Sequence, residues 1–123
     1  MHKILLVEDN EVNRDVLKRR LERRGYVVVT AGDGEQAVSL AVSESPALIL
    51  MDMNLPVLDG WEATRKIRML PGLQQVPIIA LTAHAMSSDR DKCIAAGCTD
   101  YHTKPVQFTQ LVIQIEASLA PRG

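Results

Sequence analysis

Seven side chains in this sequence could handle a charged, oxygen-rich ligand, and they fall in four short stretches. Glu8 and Asp9 close the run ILLVED, Asp52 and Asn54 follow LILM, Thr82 and His84 follow PIIAL, and Lys104 precedes Pro105. Asp52 is the odd one. A carboxylate at the end of four apolar residues is costly to bury unless it is paired or bound to metal. Gathered together, Glu8, Asp9 and Asp52 would repel at neutral pH, and a hard divalent cation offsets that best. Mg²⁺ prefers oxygen ligands and keeps several waters, so a few carboxylates and a backbone carbonyl suffice. The Lys104 ammonium can pair with Asp52 or with an incoming phosphate, and Thr82 offers a hydroxyl donor to a phosphoryl oxygen. The set suits phosphoryl transfer, in which cations neutralise charge and a carboxylate attacks phosphorus.

Singly these residues are ordinary: an Asp after a strand commonly caps or turns the chain. Their joint placement depends on the elements that carry them. Apolar runs of strand type occupy 4–7, 26–30, 47–51, 76–81 and 99–102. Helical patterns occupy 11–24, 35–43, 60–70, 86–96 and 107–119. Asn10 can cap the first helix, whose Val12, Val16, Leu17 and Leu21 are expected to face inward, and Gly25 ends it. Gly32-Asp33-Gly34 is a turn, and Asp59-Gly60 opens the third helix. Five successive βα units predict an α/β domain, a doubly wound, mostly parallel sheet with helices on both faces. Strands that are apolar without alternation suit a sheet buried on both sides. In such sheets ligands bind beyond the carboxyl ends of the strands, and all seven residues fall there.

At 123 residues the chain suits one domain. About 68% of the unfolded surface can be buried at this size without disulfides or metal staples. Fourteen basic and fifteen acidic residues leave a net charge of −1, and aromatics are only 3%. That balance argues against a grip on nucleic acid or anionic lipid, and the scarcity of rings against a stacking platform for single strands. Cys93 and Cys98 lack a CxxC or Cys/His cluster, so they read as partly buried thiols in a reducing compartment and not as a zinc site. The N-terminus lacks the apolar core of a signal peptide, and no stretch approaches a membrane span. A cytoplasmic location is expected.

The stretches ILLVEDN (4–10), LILMDMNLPVLDG (48–60), PIIALTA (77–83) and DYHTKP (100–105) resemble the receiver domains of bacterial two-component response regulators, in register over essentially the whole chain. The resemblance implies a (βα)5 sheet of flavodoxin-like order 2-1-3-4-5, as in the chemotaxis receiver. It implies that Asp52 is the phosphoacceptor, and that Glu8, Asp9, Asp52 and the Asn54 backbone carbonyl hold Mg²⁺, with Mn²⁺ as a substitute. Glu8, longer than the usual Asp, is expected to reach the metal through water. Thr82 would bind the phosphoryl group and Lys104 its oxygens, with a cis bond before Pro105. Thr82 and Tyr101 would form the switch, and Asn54 and His84 would flank the path of hydrolytic water and tune lifetime.

The expectation is a receiver over 1–120 with a short tail at 121–123 and no output domain. It would be phosphorylated by a histidine kinase or phosphotransfer protein and would signal to a protein target, as a monomer or weak dimer. Beyond its own phosphorylation and dephosphorylation it would catalyse nothing. The basic residues of the first helix, Arg14, Lys18, Arg19, Arg20, Arg23 and Arg24, read either as a solvated face or as a docking surface for the kinase. His102 reads as a simple strand-end residue, Trp61 as half-buried packing and Asp33 as turn chemistry. Three rivals share parts of the pattern. A receiver-like module working without phosphate would have lost the Asp, the Lys or the acidic pair. A flavin carrier needs a Ser/Thr/Gly-rich loop where VEDNEVN stands. A haloacid-dehalogenase-like phosphatase needs a D-x-D spacing that Glu8-Asp9 lacks.

Overall fold

Each predicted strand and helix is present in the computed structural model, which describes residues 2–83 and 87–120. The strands are β1 (Lys3–Val7), β2 (Val27–Ala31), β3 (Leu48–Asp52), β4 (Ile78–Thr82) and β5 (Asp100–Thr103). The helices are α1 (Glu11–Arg23), α2 (Gly34–Glu44), α3 (Gly60–Arg68), α4 (Ser87–Ala96) and α5 (Phe108–Leu119). All strand pairs are parallel, in the order β2-β1-β3-β4-β5. The chain winds outward from β1 to β2, crosses back to β3 and then continues outward. The switch in strand order therefore lies between β1 and β3, the crevice where such folds bind ligands.

Period-two alternation divides the sheet between two apolar layers. Leu5, Val7, Ile49, Met51, Ile78 and Ala80 meet α2, α3 and α4 on one face. Ile4, Leu6, Leu48, Leu50, Ile79 and Leu81 meet α1 and α5 on the other. Each helix entry has a local cause. The side chains of Asn10, Asp33 and Asp59 accept from the backbone N–H groups of Asn13, Gln36 and Glu62 at 2.9, 2.8 and 2.9 Å, caps that contribute about 1 kcal/mol each. So Asp33 caps α2 in addition to making its turn. Gly25, at φ +94°, ends α1 in a conformation that other residues rarely adopt.

Two expectations need correction. Val12 and Val16 do not face inward: they are 70% and 49% exposed, while Leu17 and Leu21 are buried. At 100° per residue the two valines share a stripe roughly 100–180° away from the two leucines, and only one stripe can meet the sheet. The strand ends also move. β3 and β4 include Asp52 and Thr82 as last residues, where the sequence reading stopped at the last apolar position. The hydrogen-bond ladder ignores side-chain polarity. It aligns Asp52 with Leu81 and Thr82 with Thr103.

Candidate functional site

Four segments deliver the site. At the end of β1, Glu8 is buried and Asp9 exposed. Glu8 is fixed from three sides. Its Oε1 accepts from the Asn10 N–H at 3.2 Å, its carbonyl accepts from Arg14 Nη1 at 3.1 Å, and its N–H donates to the Ala31 carbonyl at 3.1 Å. Asp52, next door on β3, is 2% exposed. Its Oδ1 accepts from the Asn54 N–H at 3.0 Å and its Oδ2 from Lys104 Nζ at 2.8 Å. The same ammonium donates to Glu8 Oε2 at 3.3 Å. Glu8, Asp9 and Asp52 each bring a carboxylate oxygen within 4.8 Å of the others.

The charges explain the titration behaviour. Burial raises the Glu8 pKa first, and the hydrogen bond and charge of Asp52 raise it further. The Lys104 ammonium and the Asn10 N–H oppose but do not cancel this. For Lys104, burial alone would lower the pKa, but its contacts with Asp52 and then Glu8 outweigh that and leave it raised. Two carboxylates thus compete for one ammonium, and the set carries excess negative charge. An all-oxygen donor set of this kind fits Mg²⁺.

Thr82 is buried at the end of β4, and its carbonyl accepts from the Lys104 N–H at 2.7 Å, which ties the Lys104 loop to the neighbouring strand. The Lys104–Pro105 bond is cis. Tyr101 is half-buried on β5 opposite Ala80 and packs against the α2–α3–α4 layer. Asn54 has an exposed side chain and reaches Asp52 through its backbone. His84 lies outside the described residues. Trp61 is half-buried as expected, with Lys92 Nζ 4.6 Å above its ring.

Three residues make contacts that the sequence reading did not foresee. Arg14 looked like one more base on α1, but it lies one turn beyond the Asn10 cap and grips the Glu8 carbonyl. Gly60 is where α3 crosses the end of β3: a Cβ there would be 2.3 Å from the Asp52 carbonyl oxygen and 2.7 Å from the Met53 Cα. Its place immediately after a capping Asp was the available signal. His102 is no simple strand-end residue; it is 5% exposed and bonded through both ring nitrogens.

A doubly wound parallel sheet carrying an acidic cluster, a lysine and a hydroxyl at its carboxyl edge defines a phosphoryl-accepting domain of flavodoxin-like architecture. The chain belongs to the response regulator receiver domain family, whose model matches residues 4–116. Over 116 residues it is 34% identical to the polar-differentiation response regulator DivK of Brucella anthropi, covering 94% of each chain. It is 36% identical to the transcriptional regulatory protein HprR of Escherichia coli K12, of which it spans about half, 51%. The receiver domain of the sensor histidine kinase PA1611 from Pseudomonas aeruginosa PAO1, solved with a magnesium ion in its active site cleft, is 46% identical with a TM-score of 0.89. That match covers 96% of this chain and 97% of the other. Receivers are signalling domains, phosphorylated on an aspartate in two-component systems. Among the described residues no helix is long and apolar enough to cross a membrane.

Proposed function

We propose that Asp52 is the phosphoacceptor of this receiver and takes its phosphoryl group from a phosphohistidine of a histidine kinase or phosphotransfer protein in the cytoplasm. The observation that carries this reading is the buried Asp52 carboxylate, held between Lys104 at 2.8 Å and the acidic pair Glu8 and Asp9. An Asp52 carboxylate oxygen attacks phosphorus, the P–N bond to the donor imidazole breaks, and its electron pair stays on the ring nitrogen. Lys104 pairs with the phosphoryl oxygens, and the Thr82 hydroxyl donates to one of them. The Asn54 N–H keeps the carboxylate oriented. Glu8, Asp9, Asp52 and the Asn54 carbonyl would hold Mg²⁺, which when bound supplies positive charge against the carboxylates and the incoming phosphoryl group. Asn54 and His84 tune the lifetime of the acyl phosphate by ordering water.

The donor approaches over α1. A cavity of about 300 Å³ beside Lys104 is lined by Asn13, Val16, Leu17, Arg20, Pro105 and Val106. The exposed Val12 and Val16 give this basic helix an apolar stripe that a partner can cover. The phosphorylated state signals to a protein target through Thr82, Tyr101 and the α4–β5–α5 surface.

The test is Asp52→Asn treated with a small phosphodonor and Mg²⁺. Intact-mass spectrometry is expected to show a base-labile phosphate on the wild type and none on the variant. Equal incorporation in both would move the phosphoacceptor elsewhere.

A further inference from the structure

Lys104 lies on a four-residue connection, 104–107, between β5 and α5, and His102 bridges it. Its Nε2 accepts from the Gln107 backbone N–H at 3.0 Å, and Gln107 is the residue that caps α5 without a side-chain bond of its own. Its Nδ1 lies 2.7 Å from Gln114 Oε1. The orientation of the Gln114 amide is set independently. Its Nε2 faces two pure acceptors, Asp100 Oδ2 at 2.9 Å and the Tyr101 carbonyl at 2.8 Å, so the nitrogen must point there and the oxygen must face His102. Nδ1 therefore carries the proton, which leaves Nε2 with the lone pair that Gln107 uses. Only the neutral Nδ1–H form satisfies both ends. An imidazolium would set Nε2–H against the Gln107 N–H across the same 3.0 Å.

We infer that His102 is a positioning residue for phosphoryl transfer: as neutral imidazole it staples the Lys104–Pro105 loop to the start of α5. The inference rests on the reading of Lys104 as the phosphoryl-binding lysine. Lys104 is held at its own backbone by Thr82, and the His102 bond closes the other end of the loop. Among the described residues, the elements that carry and flank the ring hold the following charged groups. On β5, Asp100 acts through Gln114, while Tyr101 and Lys104 flank it. On α5, Glu116 is engaged by Arg24 of α1 at 3.9 Å, and Arg20 of α1 lies over Phe108 at 5.6 Å. On β4 the facing residue is Leu81.

The experiment compares wild type, H102Q and H102L with a small phosphodonor and saturating Mg²⁺ at about pH 8. A glutamine oxygen near the Nε2 position can accept from Gln107 as the imidazole does. H102L is expected to slow uptake by about threefold to tenfold, and H102Q to restore most of it. Nitrogen-15 spectra of the imidazole should show Nδ1 protonated and Nε2 bare, a readout that needs no phosphorylation and survives if H102L fails to fold. An Nε2–H tautomer, or a folded H102L that takes phosphate at the wild-type rate, overturns the role of His102 alone. A wild type that takes no phosphate overturns the proposed function and this inference with it.

Discussion

Glu8 shows how one side chain can serve function against stability. Without metal its pKa is raised, chiefly by burial and then by Asp52, above the ordinary 4.5. The unfolded chain releases that proton first. As pH rises through 4.5 towards the raised folded value, the unfolded state therefore holds fewer protons and folding stability falls. E8Q lacks this loss. In a chelator, its melting temperature is expected to gain on wild type as pH rises from about 4 to 7, with little pH-dependent gain below that range. Mg²⁺ should reverse the order, because binding to the folded state alone adds about 2.7 kcal/mol at a hundredfold excess over Kd. Calorimetry in chelator and in Mg²⁺ checks both halves. Calorimetric titration should also show weaker Mg²⁺ binding in Asp9→Ala than in Glu8→Ala; unchanged affinity in Asp9→Ala would remove Asp9 from the metal shell.

The β3–α3 connection is where an element's geometry bears on the site. The ladder carries β3 through Asp52, and the chain then makes a tight turn in which the Leu58 N–H donates to the Pro56 carbonyl at 2.7 Å with Val57 at φ +68°. A β-branched residue there is strained. The turn returns the chain so that Asp59 caps α3 and the Gly60 N–H donates to the Met53 carbonyl at 3.1 Å. Gly60→Ala would drive a methyl into the Asp52 carbonyl. It is expected to cost about 1–3 kcal/mol by denaturant titration, as overpacking does, and to slow phosphorylation because β3 must shift under Asp52. An Ala variant with unchanged stability would mean that α3 can lift away from β3 freely.

At the scale of the molecule, the proposed phosphorylation of Asp52 on β3 would have to reach the α4–β5–α5 surface through two further strands. Thr82 and Tyr101 lie on that route, on adjacent strands and two residues apart in register, Thr82 opposite Thr103 and Ala80 opposite Tyr101. A full shift between two states needs about 5.5 kcal/mol of differential binding. One or two charge-assisted hydrogen bonds to the phosphoryl group, at about 1.5–3 kcal/mol each, provide much of it. Thr82→Ala is expected to accept phosphate yet show chemical-shift changes confined to the Asp52 neighbourhood. Identical shift changes at Tyr101 and α5 in both proteins would exclude this coupling.

Much of this was legible in the sequence because its causes are local. The apolar runs, the capping Asn10 and Asp59, the stop at Gly25 and the carboxylates after β1 and β3 each follow from a few adjacent residues, and together they specified five βα units with an acidic edge. What only the tertiary structure decided depends on strand order and register. Helical periodicity offered two stripes on α1, and the sheet accepted only Leu17 and Leu21. Ladder pairing, not polarity, carried β3 and β4 through Asp52 and Thr82 and so fixed both side chains on rigid strand ends. Glu8 and Lys104 share an ion pair across 96 positions of sequence, so the burial that raises the Glu8 pKa has no local signature. His102 had none either. Its neighbours in the chain mark it as the end of a strand, but its partners are Gln107 and Gln114, and the fold alone brings α5 back across β5 to meet it.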